Sequence, residues 1–482
     1  MRGLLDRHTI LILAKLKRQH WKYVPILIEL PYPDDREAFF APLAGIPWAM
    51  WLDSAQPGVR GARQDLLAAF PRMTLRATGD EVCVREKGRE RCEAGDPLEI
   101  LARSLASGSG DAQAGGAAGY FAYDLSRRYV HLPALALDSE HIPDMAVGIY
   151  DGFVHLDHES RRCFIRAQDT QAGASWALRM ASLLSGARRR MPESFAVLGD
   201  ILPNMDFAAY ARAFAAVQDY IRAGDCYQVN LAMRFAAPCR GHPWPLYRAL
   251  RRRSPAPYAA WLNFPFAQVL SSSPESFLSL EEGVATTRPI KGTRPRSRDG
   301  KKDVRLAQAL AASPKDRAEN LMIVDLLRND LGKVCTPGSI RVPELFRVES
   351  FATVHHLVST VEGRLAAGRQ GADLLAAAFP GGSITGAPKR RAMEIIESLE
   401  PQRRGVYCGA MGYMGFDGRM ELNIAIRTLV CSHGEIRYWA GGGLVADSDV
   451  SAEYQECLDK GRAMGEVLEA FRHKTEGLLR IP

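Results

Sequence analysis

Residues 287–295 read Thr287-Arg288-Pro289-Ile290-Lys291-Gly292-Thr293-Arg294-Pro295. The run spells a strand that ends in a glycine turn. A lysine directly before that turn is either a surface cation or a buried amine. An amine attacks only when deprotonated, so the second reading requires burial or nearby cations to lower its pKa. Arg288 and Arg294 are the candidate cations. Upstream, an apolar strand over residues 267–270 leads into Ser273-Pro274-Glu275. That carboxylate is either an exposed loop acid or a buried general acid able to protonate a leaving hydroxyl.

Outward from this stretch the periodicity alternates between strand and helix. Phe207, Tyr210, Phe214, Val217 and Ile221 share one face of an amphipathic helix predicted over residues 206–222. Ser313-Pro314 opens another helix, with an N-cap followed by proline at the first position, carrying Asp316 and Glu319 and stopping near Gly332. Asp449 or Ser451 opens a third, on which Glu453, Glu456 and Lys460 recur at spacings of three and four and so share a face. In the first half, residues 148–154 read as strand and residues 65–70 as helix. Strands recur without regular βαβ alternation and without a G-x-G-x-x-G turn, which predicts an α+β fold with antiparallel sheets. Residues 107–119 read as a Gly/Ala/Ser loop and residues 187–203 as a linker. The chain therefore divides into an ill-defined extension (1–24), an N-terminal part (25–190) and a larger C-terminal part (205–470).

Magnesium takes one or two protein carboxylates and completes its octahedron with water and an anionic ligand. Glu319 and the Glu453/Glu456 pair fit that economy, with solvated helix acids as the bland alternative. Residues 381–389, Gly381-Gly382-Ser383-Ile384-Thr385-Gly386-Ala387-Pro388-Lys389, lack the lysine after the second spaced glycine of a Walker loop, which argues against an NTPase. Glycine-rich loops before helices still present N–H groups to an anion, and Gly441, Gly442 and Gly443 read as a second such loop. Arg427 is a candidate clamp for a carboxylate.

The bulk numbers exclude other classes. The 482 residues are 47% hydrophobic and 24% charged, ordinary globular composition, and the net charge of +7 is too diffuse for nucleic acid. The runs Arg188-Arg189-Arg190 and Arg251-Arg252-Arg253 lack interleaved aromatics and read as solvated faces. The apolar patch at residues 10–16 is too short for a membrane span, and nine cysteines without a pairing pattern read as reduced thiols of a cytoplasmic protein.

In order along the chain, these motifs resemble one family, the chorismate-utilising enzymes, which include anthranilate, isochorismate, salicylate and aminodeoxychorismate synthases. The resemblance rests on residues 288–293, on Asp316-Arg317-Ala318-Glu319-Asn320-Leu321-Met322 with Asp325-Leu326-Leu327-Arg328-Asn329-Asp330, and on His355-His356-Leu357-Val358-Ser359. It continues through residues 380–389 and 441–443 to Glu453-Tyr454-Gln455-Glu456, and more loosely in the first half through Pro47-Trp48-Ala49-Met50. It implies an α/β sandwich of two packed antiparallel sheets with surrounding helices, like that of anthranilate synthase component I.

The resemblance also implies roles. Glu319 and Glu456 would hold magnesium with Glu453 close by, and the metal would bind the ring carboxylate of chorismate. Gly292, Thr293, His356 and residues 441–443 would line the ring, with Ser383, Thr385 and Lys460 in the same pocket. Tyr407 and Arg427 would take the enolpyruvyl carboxylate. Gln228 stands where some members carry a water-activating lysine, which counts against an isochorismate-type reaction. Lys291 stands where anthranilate synthases carry alanine. It implies the branch that aminates chorismate at C4, with Lys291 adding at C2 and Glu275 protonating the departing hydroxyl. No cysteine lies in a Gly-x-Cys-x-Gly turn, Cys408 coming nearest, so ammonia would be free or come from a separate glutamine amidotransferase subunit. Relatives hold tryptophan at positions matching Ser54, Gly61, Ala62, Arg63, Gln64, Pro257, Tyr258 and Ala259. Here Trp51-Leu52-Asp53-Ser54 departs from the Leu-Leu-Glu-Ser run of feedback-regulated anthranilate synthases. Anthranilate synthase component I is the alternative within the family, disfavoured by Lys291. A non-catalytic regulator is disfavoured because Glu275, Lys291, Glu319 and Glu456 are all present.

Overall fold

In the computed structural model, residues 25–55, 62–106, 114–186, 194–351 and 354–472 are described. The extension 1–24, Gly61 and Arg188-Arg189-Arg190 lie outside the described residues.

Strand Ala49–Asp53 pairs with Tyr258–Asn263 so that Trp51 faces Trp261. Side chains alternate across a strand. Both indoles therefore enter the core beneath the helices, while Met50, Ala260 and Leu262 enter the core between the sheets. Burying one indole removes about 200 Å² from water, worth about 5 kcal/mol before ordering entropy. The same alternation generates two large antiparallel sheets packed face to face, each covered by helices outside. The predicted sandwich class is what forms.

One sheet runs from Ile26–Leu30 through Ala49–Asp53, Tyr258–Asn263, Gln268–Ser273 and Glu435–Leu444 to Gln228–Gly241 and Phe195–Val197. The other runs from Ile290–Pro295 and Val354–Arg364 through Ser276–Glu281, Met420–Ile424 and Gly116–Phe121 to Glu81–Glu86 and Arg89–Ala94. Both sheets thus mix strands from the two halves of the sequence. The chain crosses between sheets twice at one corner, from Gln268–Ser273 into Ser276–Glu281 and from Met420–Ile424 into Thr428–Ser432. The crossings are laced together: Ile424 N donates to Glu275 O (3.0 Å), Ser272 N to Arg427 O (3.0 Å), and Ser273 Oγ to Ile424 O (2.6 Å). This corner holds Glu275 and Arg427.

The three helices form, two of them with the caps expected from the sequence. Phe207–Arg222 is capped by Asp206, Pro314–Gly332 by Ser313 and Val450–Ala470 by Asp449. Several expectations are corrected. Residues 65–70 are not helical, because strand Gln64–Ala68 is buried on both faces and its continuous apolar run imitates helix spacing. Of the predicted 107–119 loop, residues 107–113 lie outside the described residues, and Gly116–Phe121 is a strand. Its glycines permit close backbone approach, since a Cβ on Gly119 would lie 2.0 Å from Ala146 O. Residues 441–443 belong to strand Glu435–Leu444 rather than to a loop. The Arg251–Arg253 run is solvated only in part: Arg252 and Arg253 are exposed, Arg252 pairing with Glu37 (2.7 Å), while Arg251 donates to buried Asp53 (3.2 Å). Cys83 and Cys92 form a disulfide from directly opposed positions of a hairpin, a pairing that spacing did not reveal; the other seven cysteines are free and buried. Among the described residues no helix is long and apolar enough to cross a membrane.

Arg404 lies where both sheets and the 381–388 loop meet, and its side chain is 1% exposed. It grips Glu400 through two bonds (2.6 and 2.9 Å), and donates to Asn230 O (2.6 Å) and Ile384 O (2.9 Å) over the ring of Tyr123. Glu400 also accepts from Ala232 N (2.9 Å). Removing one partner strands a buried charge, so Arg404→Met is expected to cost about 3–5 kcal/mol. Adding Glu400→Gln should recover part of that in denaturant midpoints; strictly additive losses would contradict a shared pair.

Candidate active site

The strand bearing Lys291 is irregular where the lysine sits. Ile290 pairs with Val358 and Thr293 with His356, so one extra residue is inserted at Lys291-Gly292. Such a bulge re-aims a side chain. Gly292 makes it possible with φ +83, and a Cβ there would meet Asp316 Oδ1 at 2.8 Å. Asp316 is in turn held by Arg294 (2.8 Å). The re-aimed Lys291 ammonium donates to Ser383 O (3.0 Å).

Burial lowers the Lys291 pKa, with the Lys460 charge acting in the same direction; Glu275, Glu319 and Glu456 oppose it. This corrects the sequence reading, which assigned the role to Arg288 and Arg294. Arg288 is spent on Glu349 and Arg294 on Asp316. Glu275, 7% exposed, shifts the opposite way. Burial raises it against the Lys291 charge, a bond from Ser383 and the backbone N–H of Ile290. A lysine pushed toward the amine and a carboxyl pushed toward the acid therefore share Ser383 as a neighbour.

Opposite them the last helix meets strand Glu435–Leu444. A Cβ on Gly442 would lie 3.2 Å from Glu453 Oε2, 3.6 Å from Glu456 Oε1 and 3.7 Å from Lys460 Nζ. Three charged groups thus converge over a bare glycine. Lys460 pairs with Glu456 (2.6 Å) and donates to Gly441 O (2.9 Å), while Glu453 accepts from Ser448 (2.6 Å). Burial raises the pKa of Glu453, and that of Glu319 likewise; the Glu453 charge adds to the effect on Glu319. Among the described residues the oxygens of Glu319, Glu453 and Glu456 do not all lie within 4.8 Å of one another. As they stand the three are not one ligand set; a magnesium ion needs only one or two such carboxylates, with water and ligand oxygens for the rest.

The remaining residues divide. Gln228, 2% exposed, packs its amide nitrogen over Gly443 and leaves Oε1 without a partner. His356 bonds Thr293 (2.9 Å), and burial together with the nearby Arg427 charge pushes it down to about 4, so the ring is neutral at pH 7. Arg427 sits beside Tyr407, has φ +52, and among the described residues its guanidinium has no ion pair or hydrogen bond; burial lowers its pKa. Tyr407 stacks on Trp439 (5.9 Å). Thr385 is fully buried and turned back to Gly381 O (3.0 Å), a loop-holding role. Lys389 ties that loop to Asp330 (2.6 Å) and meets no anion site.

Ser54, Gln64, Pro257, Tyr258 and Ala259 line a separate recess of about 40 Å³, open to solvent, together with Glu421. Ala62 is buried outside that lining, and Arg63 pairs with Glu159 (3.3 Å). Burial and Glu281 raise Glu421 to about 7. Sequence reasoning missed the supports: Ser448 behind Glu453, and Asn320 beside Glu319, which binds Ser359 (2.5 Å) and Leu357 O (3.3 Å) and so anchors its helix to the sheet. The polar Asn320 inside an apolar helix face was the available signal.

A fold and a site of this kind define a class. The profile described as chorismate binding enzyme matches residues 49–466, and the chain belongs to that family. Within it, the chain is 48% identical over 445 residues to aminodeoxychorismate synthase component 1 of Klebsiella aerogenes, covering 90% of this chain and 97% of that one. It is 44% identical to the same component of Escherichia coli strain K12, covering 90% and 97%. The crystal structure of anthranilate synthase component I from Streptococcus pneumoniae TIGR4 superposes with a TM-score of 0.75 at 31% identity, over 84% of this chain and 92% of that one.

The electrostatics can be checked without substrate. Competitive amine labelling read by mass spectrometry should show Lys291 titrating below the ordinary lysine range. Removing the neighbouring cation with Lys460→Met should move its midpoint up, and removing the carboxylate with Glu275→Gln should move it down. A Lys291 midpoint at or above that of surface lysines would refute the assigned causes.

Proposed function

We propose that the protein aminates chorismate at C4 with ammonia, giving 4-amino-4-deoxychorismate for p-aminobenzoate and folate synthesis. The observation that carries this is Lys291 itself, a bulge-aimed amine with lowered pKa beside the acid-shifted Glu275. The names of the relatives at 48% and 44% identity support the same branch.

The neutral Lys291 amine forms a bond to C2, the two ring double bonds move round, and the C4–O bond breaks as Glu275 delivers its proton and water leaves. Ammonia then forms a bond to C4, the double bonds return, and the C2–N bond breaks to release the lysine. The Glu275 carboxylate takes the proton lost by the new C4 ammonium, which resets the pair. Arg427, with its uncommitted guanidinium, would take the enolpyruvyl carboxylate beside Tyr407. Magnesium, when bound by Glu319 and Glu456 with Glu453 close by, would supply the positive charge that holds the ring carboxylate. The component number in the relatives' names supports a partner subunit, and we assign it the release of ammonia from glutamine.

The test is a product assay with chorismate, magnesium and ammonium, read by mass and by anthranilate fluorescence. Wild type should give aminodeoxychorismate; Lys291→Ala should lose most of that rate or release anthranilate. Glu275→Gln should lower the rate about 10²–10⁴-fold. Anthranilate from the wild type would overturn the C4 assignment in favour of the anthranilate reaction.

A further inference from the structure

At the far end of the second sheet, the hairpin formed by Glu81–Glu86 and Arg89–Ala94 carries cations on a face that is apolar at the neighbouring strands, through Ala118, Tyr120, Ala146 and Tyr150. Thr74 and Arg76 pair with Gly148 and Ala146, and Ala146 belongs to the core between the sheets. The register therefore puts Arg76 on the inner face, and Arg85, opposite Thr74, joins it there. The alternate residues Leu75, Val82 and Val84 fill the helix-side core, so the arginines are not there by a slipped register.

These side chains line a cleft of about 470 Å³ between the hairpin and the corner of the other sheet, with Trp48 and Phe266 as its aromatic wall. The volume is in the range of small-molecule sites. Arg72, Arg76, Arg85 and Lys87 line it, against one acid, Glu90, which is occupied by Arg76 (2.6 Å). Among the described residues the side chains of Arg85 and Lys87 have no ion pair. Arg72 has two buried nitrogens without a hydrogen-bond partner, its nearest acid being Asp151 at 3.7 Å. The wall and the hairpin are both preset. Trp48 packs edge-on against Phe264 (5.0 Å), and Tyr150 donates to Trp48 O (2.7 Å). The Lys87-Gly88 turn has φ +50 and +78, the tight form that matches strand twist.

We propose that this cleft is an anion-binding site, separate from the catalytic residues, for a small organic polyanion carrying a flat ring. Cations of one sign in a walled cleft concentrate such ligands, and guanidinium groups pair with phosphate or carboxylate oxygens alike. The shared chemistry is the multiple negative charge beside a ring, whether the charge comes from phosphate ester or arylcarboxylate.

The test is calorimetric titration of the full chain with ATP, inorganic tripolyphosphate and benzene-1,3,5-tricarboxylate at about 0.15 M salt, with tryptophan emission followed in parallel. Saturable one-to-one binding of a ring-bearing anion is expected, tighter than that of tripolyphosphate, with an emission change that is absent in Trp48→Phe. ATP above the tricarboxylate identifies a phosphate ester, and the reverse order an arylcarboxylate. Arg85→Ala/Lys87→Ala should weaken binding about tenfold or more while leaving thermal midpoint and chorismate turnover unchanged. No saturable binding, or binding indifferent to the double substitution, overturns the proposal.

Discussion

The bidentate pair between Arg404 and Glu400 is the constraint on which the site depends. Its remaining donors and acceptors go to backbone rather than to water, reaching Asn230, Ala232 and Ile384. Asn230 and Ala232 lie on the strand paired with residues 441–443, and Ile384 lies next to Ser383. One guanidinium therefore fixes the spacing between the glycine strand and the loop that meets Lys291. A hydrophobic pair of the same volume could fill that space as stably. It could not hold three backbone segments at hydrogen-bond precision.

Within that frame, the chemistry comes from desolvation more than from pairing. For Lys291, Glu275, Glu319 and Glu453 alike, burial is the largest influence, and it disfavours the charged form of each. Neighbouring opposite charges then limit the shifts. A lysine whose pKa is lowered and an acid whose pKa is raised are brought closer together, so a proton passes between them at smaller cost. Gly442 matters for the same reason, since a side chain there would fill the space into which Glu453, Glu456 and Lys460 project.

The sequence was legible where function forces a residue type. The caps at Ser313 and Asp449 and the shared face of Glu453, Glu456 and Lys460 could be read locally, because each is set within a few residues; Gly292, read as the turn that ends its strand, is a bulge inside strand Ile290–Pro295. Long-range pairing was not legible. Strand Gln64–Ala68 imitates a helix because both its faces are buried, and Gly116 and Gly119 imitate a loop although neighbouring strands crowd them. The cause of the Lys291 shift was misread for the same reason. Arg288 and Arg294 are adjacent in sequence, yet their partners, Glu349 and Asp316, come from other elements, and the cation that acts, Lys460, lies on the last helix.

A single register also explains where the inner face of the second sheet turns from apolar to charged. Along the inner face of the second sheet, Tyr120 and Ala146 meet the other sheet and are apolar; toward the end hairpin the same face carries Arg76 and Arg85. Midway along the sheet, at the strand ends, the chain changes sheets, and the two crossings leave Glu275 and Arg427 on a bend instead of in a ladder. A sandwich can bury ionisable groups where the sheets leave a recess, as at Glu421, where one sheet stops covering the other, or where the chain turns between them. Elsewhere the inner faces are too tightly packed to admit an unpaired charge. Candidate catalytic residues at the corner where the chain changes sheets and cations at the end hairpin are consequences of the same geometry.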